Sequence, residues 1–597
     1  MSKTAKTLLI IGGILFVLML VGIIGIALIA ESLGKPDVQE NSVLVLNVSG
    51  DLPDYNPPDP MAKIFGIDQA ESFTSLLTQM RKAKADSRIG GILIDVDFPG
   101  IGWGKADELR DAIKDFKSSG KPVYAYMEMG LTKDYYIAAA ADKIYMPPTG
   151  DLYVNGFAAE AMFFRGSLDK LGVEPQFIKI GKYKNAPDQY TEKEMTEGQK
   201  EVINAILEDY IARVTNAVAE SRNKSPEDVK ALIDNAPYNA RQAQSQGLID
   251  EAIYRDQVYE KLKNQLGYKA EDKLRTISTG NYRDVPADSL GLNNGEKVAV
   301  IYASGGIGSG KSNNSPFGGQ TVGSDTIVQA LTEATEDESV KAIVLRVDSP
   351  GGSALASDLM WHAIEKAKEK KPVVVSMSDV AASGGYYISC NASKIVAEPS
   401  TLTGSIGVFL GKPILSGFYD WIGVNTQYTT KGKNAGLFRE DQKWEGDELA
   451  KMNDQINSIY WDNFVPKVAK GRNKSPEEIH AIGEGHVWTG FQAKQNGLID
   501  EFGGLEKAID VAKQLANLPA DKDVKRIAYP KPVPFLSKIF GTAEDTTFNK
   551  TEEQKAQEAV IKALPEDIRK TLKYASILDQ MKRGEAMMLM PFELEIK

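Results

Sequence analysis

The sequence predicts two tandem α/β domains behind an N-terminal membrane-spanning helix, and three observations carry that prediction. The chain repeats itself: Arg222-Asn223-Lys224-Ser225-Pro226-Glu227 returns as Arg472-Asn473-Lys474-Ser475-Pro476-Glu477, and Gly247-Leu248-Ile249-Asp250 as Gly497-Leu498-Ile499-Asp500, both at an offset of 250. Short β-rich runs alternate with helical patterns in each copy. Thr7 to Ala30 contains no charge, and at about 1.5 Å per residue it is long enough to cross the roughly 30 Å hydrocarbon layer.

That apolar run exceeds the core of a cleaved signal peptide, and no clear small-residue cleavage site follows it. It is therefore expected to be a retained anchor. Lys3 and Lys6 precede it and Glu31, Asp37 and Glu40 follow it, so the positive-inside bias keeps residues 1–31 as a cytoplasmic tip and anchor, with the remaining chain outside the inner membrane. A repeat of this length exceeds a solenoid unit and can bury its own core. The first domain is expected at 40–270 and the second at 296–530. Val43-Leu44-Val45-Leu46 and Ile92-Leu93-Ile94-Asp95-Val96 open the first; Val298-Ala299-Val300-Ile301 and Ile343-Val344-Leu345-Arg346-Val347 open the second. Late in each copy, apolar positions from Ile203 to Val218 and from Leu449 to Phe464 recur at helical spacing. The polar stretch from about Asn264 to Lys297 reads as the connection between domains. Residues 531–597 read as a C-terminal helical extension.

Composition narrows the function. A net charge of −11 argues against a nucleic-acid partner. Cys390 is the only cysteine, so no internal disulfide forms, and three histidines, His362, His480 and His486, offer no plausible metal site. Gly305-Gly306-Ile307-Gly308-Ser309-Gly310-Lys311-Ser312 satisfies the phosphate-loop pattern. Loop-forming Asn313-Asn314-Ser315-Pro316 follows where a helix must begin, so nucleotide binding is not expected. The segment reads instead as a mobile glycine-rich loop.

The two copies differ where chemistry would sit. Asp348-Ser349-Pro350-Gly351-Gly352 ends a predicted strand in a tight turn whose amides could hold an oxyanion; the first copy has Asp97-Phe98-Pro99-Gly100-Ile101, without the glycine pair. Thr403-Gly404-Ser405-Ile406-Gly407 offers a serine on a glycine-flanked turn, where the first copy has Val154. Ser383, in Ala381-Ala382-Ser383-Gly384-Gly385, is a rival nucleophile; Thr132 occupies its place in the first copy. With histidine scarce, lysine is the alternative base, provided burial supplies a neutral amine. Lys184 in Tyr183-Lys184-Asn185-Ala186 and Lys433 in Lys431-Gly432-Lys433-Asn434-Ala435 are the candidates.

The anchor, the duplication, Ser-Pro-Gly-Gly, Ala-Ser-Gly-Gly-Tyr-Tyr and Leu402-Thr403-Gly404-Ser405-Ile406-Gly407-Val408 together resemble the signal peptide peptidase A (protease IV) family in its long two-domain bacterial form, over essentially the whole chain. The resemblance implies α/β domains of the ClpP/crotonase type, a Ser-Lys peptidase needing no cofactor, metal or nucleotide, and a bowl-like homotetramer on the outer face of the inner membrane. It implies peptide substrates such as signal-peptide remnants. Carried over by motif, the nucleophile is Ser405 and the base is Lys184, with Gly351 and Gly352 as the oxyanion turn. Lys433 stays open as an alternative base, since single-domain relatives draw both groups from one repeat type. An inert membrane scaffold and a crotonase-type acyl-CoA enzyme are the competing functions; asymmetric retention of Ser405 with the glycine pair disfavours the first, and the expected location outside the cytoplasm disfavours the second.

Overall fold

The computed structural model describes residues 37–57, 71–315, 319–530 and 585–590, with positions 560, 564, 595 and 596. The anchor stretch Thr7–Ala30 lies outside them, as does nearly all of the expected helix from Thr551 to Lys582. Among the described residues no helix is long and apolar enough to cross a membrane.

The repeated texts turn out to be partners of one another. Arg-Asn-Lys-Ser-Pro-Glu stops one helix and starts the next. Asn223 and Asn473 take left-handed conformations (φ 51° and 52°) that end the helices Glu197–Arg222 and Val465–Arg472, while Ser225 and Ser475 cap the following helices through their side chains, with Pro226 and Pro476 in the first turn. Arg222 then reaches Asp250 at 2.9 Å, and Arg472 reaches Asp500 at 3.0 Å. Each aspartate also accepts a backbone N–H, from Ile144 or Ile395, at the start of a sheet strand.

The first repeat supplies β1 (Ser42–Asp51), β2 (Ile89–Gly100), β3 (Val123–Tyr126), β4 (Lys143–Met146), β5 (Glu174–Ile180), β6 (Glu251–Ala252) and β7 (Thr276–Ser278). All but β5 form one parallel sheet in the order β6-β4-β3-β2-β1-β7. The apolar runs of β1 and β2 are buried on both faces, as helix-covered parallel strands require. Because β7 pairs with β1, the expected polar connection contributes an edge strand to the first domain.

The second repeat follows with β8 (Lys297–Ser304), β9 (Gly306–Gly308), β10 (Asn313–Ser315), β11 (Gly319–Gly323), β12 (Val340–Ser349), β13 (Gly351–Ser353), β14 (Val373–Ala382), β15 (Lys394–Ala397), β16 (Leu402–Gly404), β17 (Val408–Ile414), β18 (Val487–Thr489) and β19 (Lys525–Tyr529). The main path runs β18-β16-β14-β12-β8-β19, and β15 pairs with β14 as β4 does with β3, with β19 on β8 as β7 is on β1. The segment expected to be a mobile glycine-rich loop contains the strand β9 and leads into β10. β10 and β11 pair antiparallel, β9 lies along β11, and the carbonyl of Gln320 packs so close to Gly305 that a Cβ there would sit 2.0 Å away.

A third sheet joins the repeats, in the order β10-β11-β9-β13-β20-β17-β5, where β20 is Met587–Leu589 near the C-terminus. β5 of the first repeat pairs antiparallel with β17 of the second, from Ile180↔Val408 to Glu174↔Ile414. Within the extension expected to be helical, Val560 is helical and Met587–Leu589 is a strand. Ala586 to Met590 has helix-forming composition, but strand partners on both sides override that preference.

Buried charges clasp the repeats reciprocally. Arg346 on β12, fully buried, reaches Asp54 at 2.9 Å and Glu108 at 2.7 Å in the first repeat. Lys105 of the first repeat reaches Asp348 at 2.9 Å and Asp379 at 3.4 Å in the second.

Candidate active site

The β5–β17 pairing fixes the site. Lys184 follows β5 by four residues and Ser405 precedes β17 by three, so an antiparallel ladder carries them side by side although they are 221 residues apart. Lys184 has no exposed surface. Its Nζ donates to Ser383 Oγ at 2.8 Å, to Ser405 Oγ at 3.0 Å and to the Ser405 carbonyl at 3.3 Å. Burial, with no carboxylate in contact to offset it, holds its pKa well below the ordinary lysine value. Glycines make the slot for its stem. A Cβ on Gly407 would lie 3.1 Å from Lys184 Cδ, and one on Gly485 would lie 2.6 Å from Lys184 Cα.

The two serines occupy different settings. Both take positive φ, 54° at Ser383 and 49° at Ser405, so backbone strain does not separate them. Ser405 follows β16, and its N–H is committed to the His486 carbonyl at 2.7 Å, as the Ser383 N–H is to the Gly404 carbonyl at 2.8 Å. Ser383 stands at the turn between β14 and the short helix Gly384–Ser389; serine in that place ordinarily caps the helix, but its hydroxyl makes no capping bond and meets Lys184 instead. Beside Ser383 lies the glycine turn of β13. A Cβ on Gly384 would sit 3.1 Å from the Gly352 N, and one on Gly351 would sit 2.7 Å from the Gly384 N, so the residue after Ser383 packs directly on this turn. The Gly351 N–H is already donated to Ser349 Oγ at 3.2 Å. Of the expected Gly351/Gly352 pair, Gly351 is thus turned to Ser349, while Gly352 lies close to Gly384.

The first copy lacks this arrangement. Val154 and Thr132 stand where the serines would be, and Ile101 is buried in the place of Gly352, where in the second copy a Cβ would meet the Ile307 carbonyl at 2.1 Å. Lys433 is largely exposed, paired with Asp447, and contacts neither serine. His486, expected to be an ordinary histidine, packs against the site. Its ring stacks on Trp488 and meets Tyr183 edge-on, with burial lowering its pKa to about 4, and its carbonyl holds Ser405. Gly485, Gly384 and His486 were missed from sequence, although the duplication flags two of them: Gly485-His486 stands where the first copy has Asn235-Ala236.

With the imidazole of His486 turned to the Val487 carbonyl, the hydroxyls share their site with an amine. Tandem α/β repeats closing over serines beside a glycine turn define the class of protein, a serine peptidase. Comparison with known proteins makes this specific: the chain belongs to peptidase family S49, whose model matches residues 115–269 and again 365–519. It is similar to the chloroplastic serine protease SPPA of Arabidopsis thaliana, at 35% identity over 84% of this chain and 73% of that one. It is also similar to Protease 4 of Haemophilus influenzae, at 33% over 85% and 84%. A putative signal peptide peptidase SppA of Enterococcus faecium matches at 32% identity over 42% of this chain and 74% of its own length. The first two are matched along most of both chains, as expected of the two-domain form.

Proposed function

We propose that the chain is a membrane-anchored endopeptidase in which Ser383 is the nucleophile, neutral Lys184 the base, and Ser405 a second hydroxyl that fixes the amine. The observation that carries this reading is the fully buried amine 2.8 Å from a serine whose next residue, Gly384, packs on the Gly351-Gly352 turn. Burial favours the neutral amine, which accepts the Ser383 proton as the oxygen attacks the scissile carbonyl and returns it to the leaving amine. Gly352 and Gly384 donate to the oxygen that becomes negative. Ser405, preferred from sequence, receives the amine on both its hydroxyl and its carbonyl, whereas Ser383 is followed directly by Gly384, which packs on the Gly351-Gly352 turn; this supports a positioning role for Ser405.

Signal-peptide remnants and other short apolar segments are the proposed substrates. The name of the Enterococcus relative, a putative signal peptide peptidase, supports this. Anchoring through Thr7–Ala30 in a bacterial inner membrane, with catalytic domains on the periplasmic side, rests on the charge pattern around that stretch. The homotetramer and the ClpP/crotonase kinship of the repeats belong to the same proposal through the resemblance.

The test is a pair of variants assayed on an apolar peptide. Ser383→Ala is expected to lose cleavage by about 10³-fold or more, while Ser405→Ala loses about tenfold, the worth of one hydrogen bond to the amine. Full activity in Ser383→Ala beside an inactive Ser405→Ala would move the nucleophile to Ser405.

A further inference from the structure

β20 lies where a peptide substrate would lie. Gly351, Gly352 and Ser353 pair antiparallel with Leu589, Met588 and Met587, and Phe409 of β17 pairs with Met587 on the other side. Met590 N donates to the Pro350 carbonyl at 2.7 Å and Ala354 N to the Ala586 carbonyl at 3.0 Å. Hydrogen-bonded pairs alternate along an antiparallel ladder, so 350/590 and 354/586 put 352/588 in the bonded phase. The Met588 carbonyl therefore points at the Gly352 amide. It lies 2.0 Å from the position of a Gly351 Cβ, the same point that the Gly384 N approaches to 2.7 Å.

The side chains divide as a strand requires. Met587 and Leu589 pack with Phe177, Ala186 and Phe409, two residues beyond Lys184, while Met588 enters the core of the second repeat. Ser353 Oγ also binds the Glu585 carboxylate. The segment is thus held between two strands with its side chains in two apolar clusters, and its Met588 carbonyl lies against the Gly352 and Gly384 amides proposed above as oxyanion donors.

We propose that Ala586–Met590 is an intramolecular pseudosubstrate: it occupies the peptide groove by strand addition, with Met588 in the place of the residue before the scissile bond, and substrates must displace it. The inference rests on the proposed site for its catalytic meaning, but the occupancy itself is independent of turnover. It also assigns Phe177 and Phe409 as the wall that selects apolar side chains not branched at Cβ next to the scissile residue.

A fluorescent peptide spanning residues 585–592 tests it by anisotropy, on full-length protein carrying Ser383→Ala so that no cleavage intervenes. A tethered segment competes at an effective concentration on the order of mM. Adding Met588→Asp to the tail, or ending the chain at residue 584 should that variant misfold, is expected to tighten peptide binding at least about fivefold. In the active protein the same tail change is expected to lower the KM for an apolar peptide by a similar factor. Equal affinity with and without the native tail, or no binding of the peptide to either form, overturns the pseudosubstrate. Failure of the peptidase reading would show separately, as absent turnover in the parent protein with the competition intact.

Discussion

Replacing Arg346 by leucine tests the clasp on which the site depends. The guanidinium is fully buried and makes five hydrogen bonds: two to Asp54 Oδ1 at 3.1 and 2.9 Å, one to Glu108 at 2.7 Å, and one each to Ser376 and Ser378 at 2.9 Å. Burial alone would raise the pKa of Asp54, but the charges of Arg346 and Lys105 bring it below the ordinary value. Removing Arg346 strands two carboxylates in the interior, at a cost of about 3–5 kcal/mol. For a cooperative unit the size of one repeat, about 2–4 °C per kcal/mol applies, so the melting temperature should fall by roughly 6–20 °C. Stranded carboxylates have folded pKa values above their unfolded ones, so their cost grows as pH rises past about 4, and the deficit should be larger at pH 7 than at pH 4.5. Because Arg346 and its carboxylates belong to different repeats, peptide cleavage should disappear at or below the temperature of the first unfolding step, as Lys184 parts from Ser383. Thermal unfolding by tryptophan fluorescence and residual activity read both effects. Arg346→Leu combined with Asp54→Leu and Glu108→Leu should recover most of the loss, since an apolar cluster of like volume is not penalised. A single variant melting within 2 °C of the parent would refute the reasoning.

Two further outcomes follow from the lysines. Lys184→Met should cut turnover by about 10²-fold or more and abolish the rise of activity with pH that deprotonation of the amine produces. Since burial lowers the folded pKa of Lys184 below its unfolded value, the native state binds fewer protons; stability should climb with pH from the folded pKa towards the ordinary lysine value, and Lys184→Met should flatten that slope in denaturant melts. Lys433→Ala removes only an exposed ion pair with Asp447, so activity within about twofold of the parent is expected; inactivation would return the base to Lys433.

The sequence exposed what is local and repeated. The strand openings at Val43, Ile92, Val298 and Ile343, and the helix from Ile203 to Val218, fall inside Ser42–Asp51, Ile89–Gly100, Lys297–Ser304, Val340–Ser349 and Glu197–Arg222, because apolar periodicity is set by the burial of each element. Pairing is not written locally. Nothing in Glu174–Ile180 says that its partner is Val408–Ile414, so Lys184 was legible only through a family likeness. Two serines on glycine turns, 22 residues apart, could not be ranked from text when both end within 3.0 Å of one amine. Residues 531–597 read as one helical extension, and the strand Met587–Leu589 within it was not legible because its partners on both sides come from distant parts of the chain.

The most direct measurement is covalent. Purified protein is treated with a serine-reactive inhibitor, and the adduct is located by peptide mass mapping in the parent, Lys184→Met and Ser405→Ala forms. The account predicts modification at Ser383, slowed strongly by Lys184→Met and weakly by Ser405→Ala. An adduct on Ser405 while Ser383 stays unmodified would contradict it.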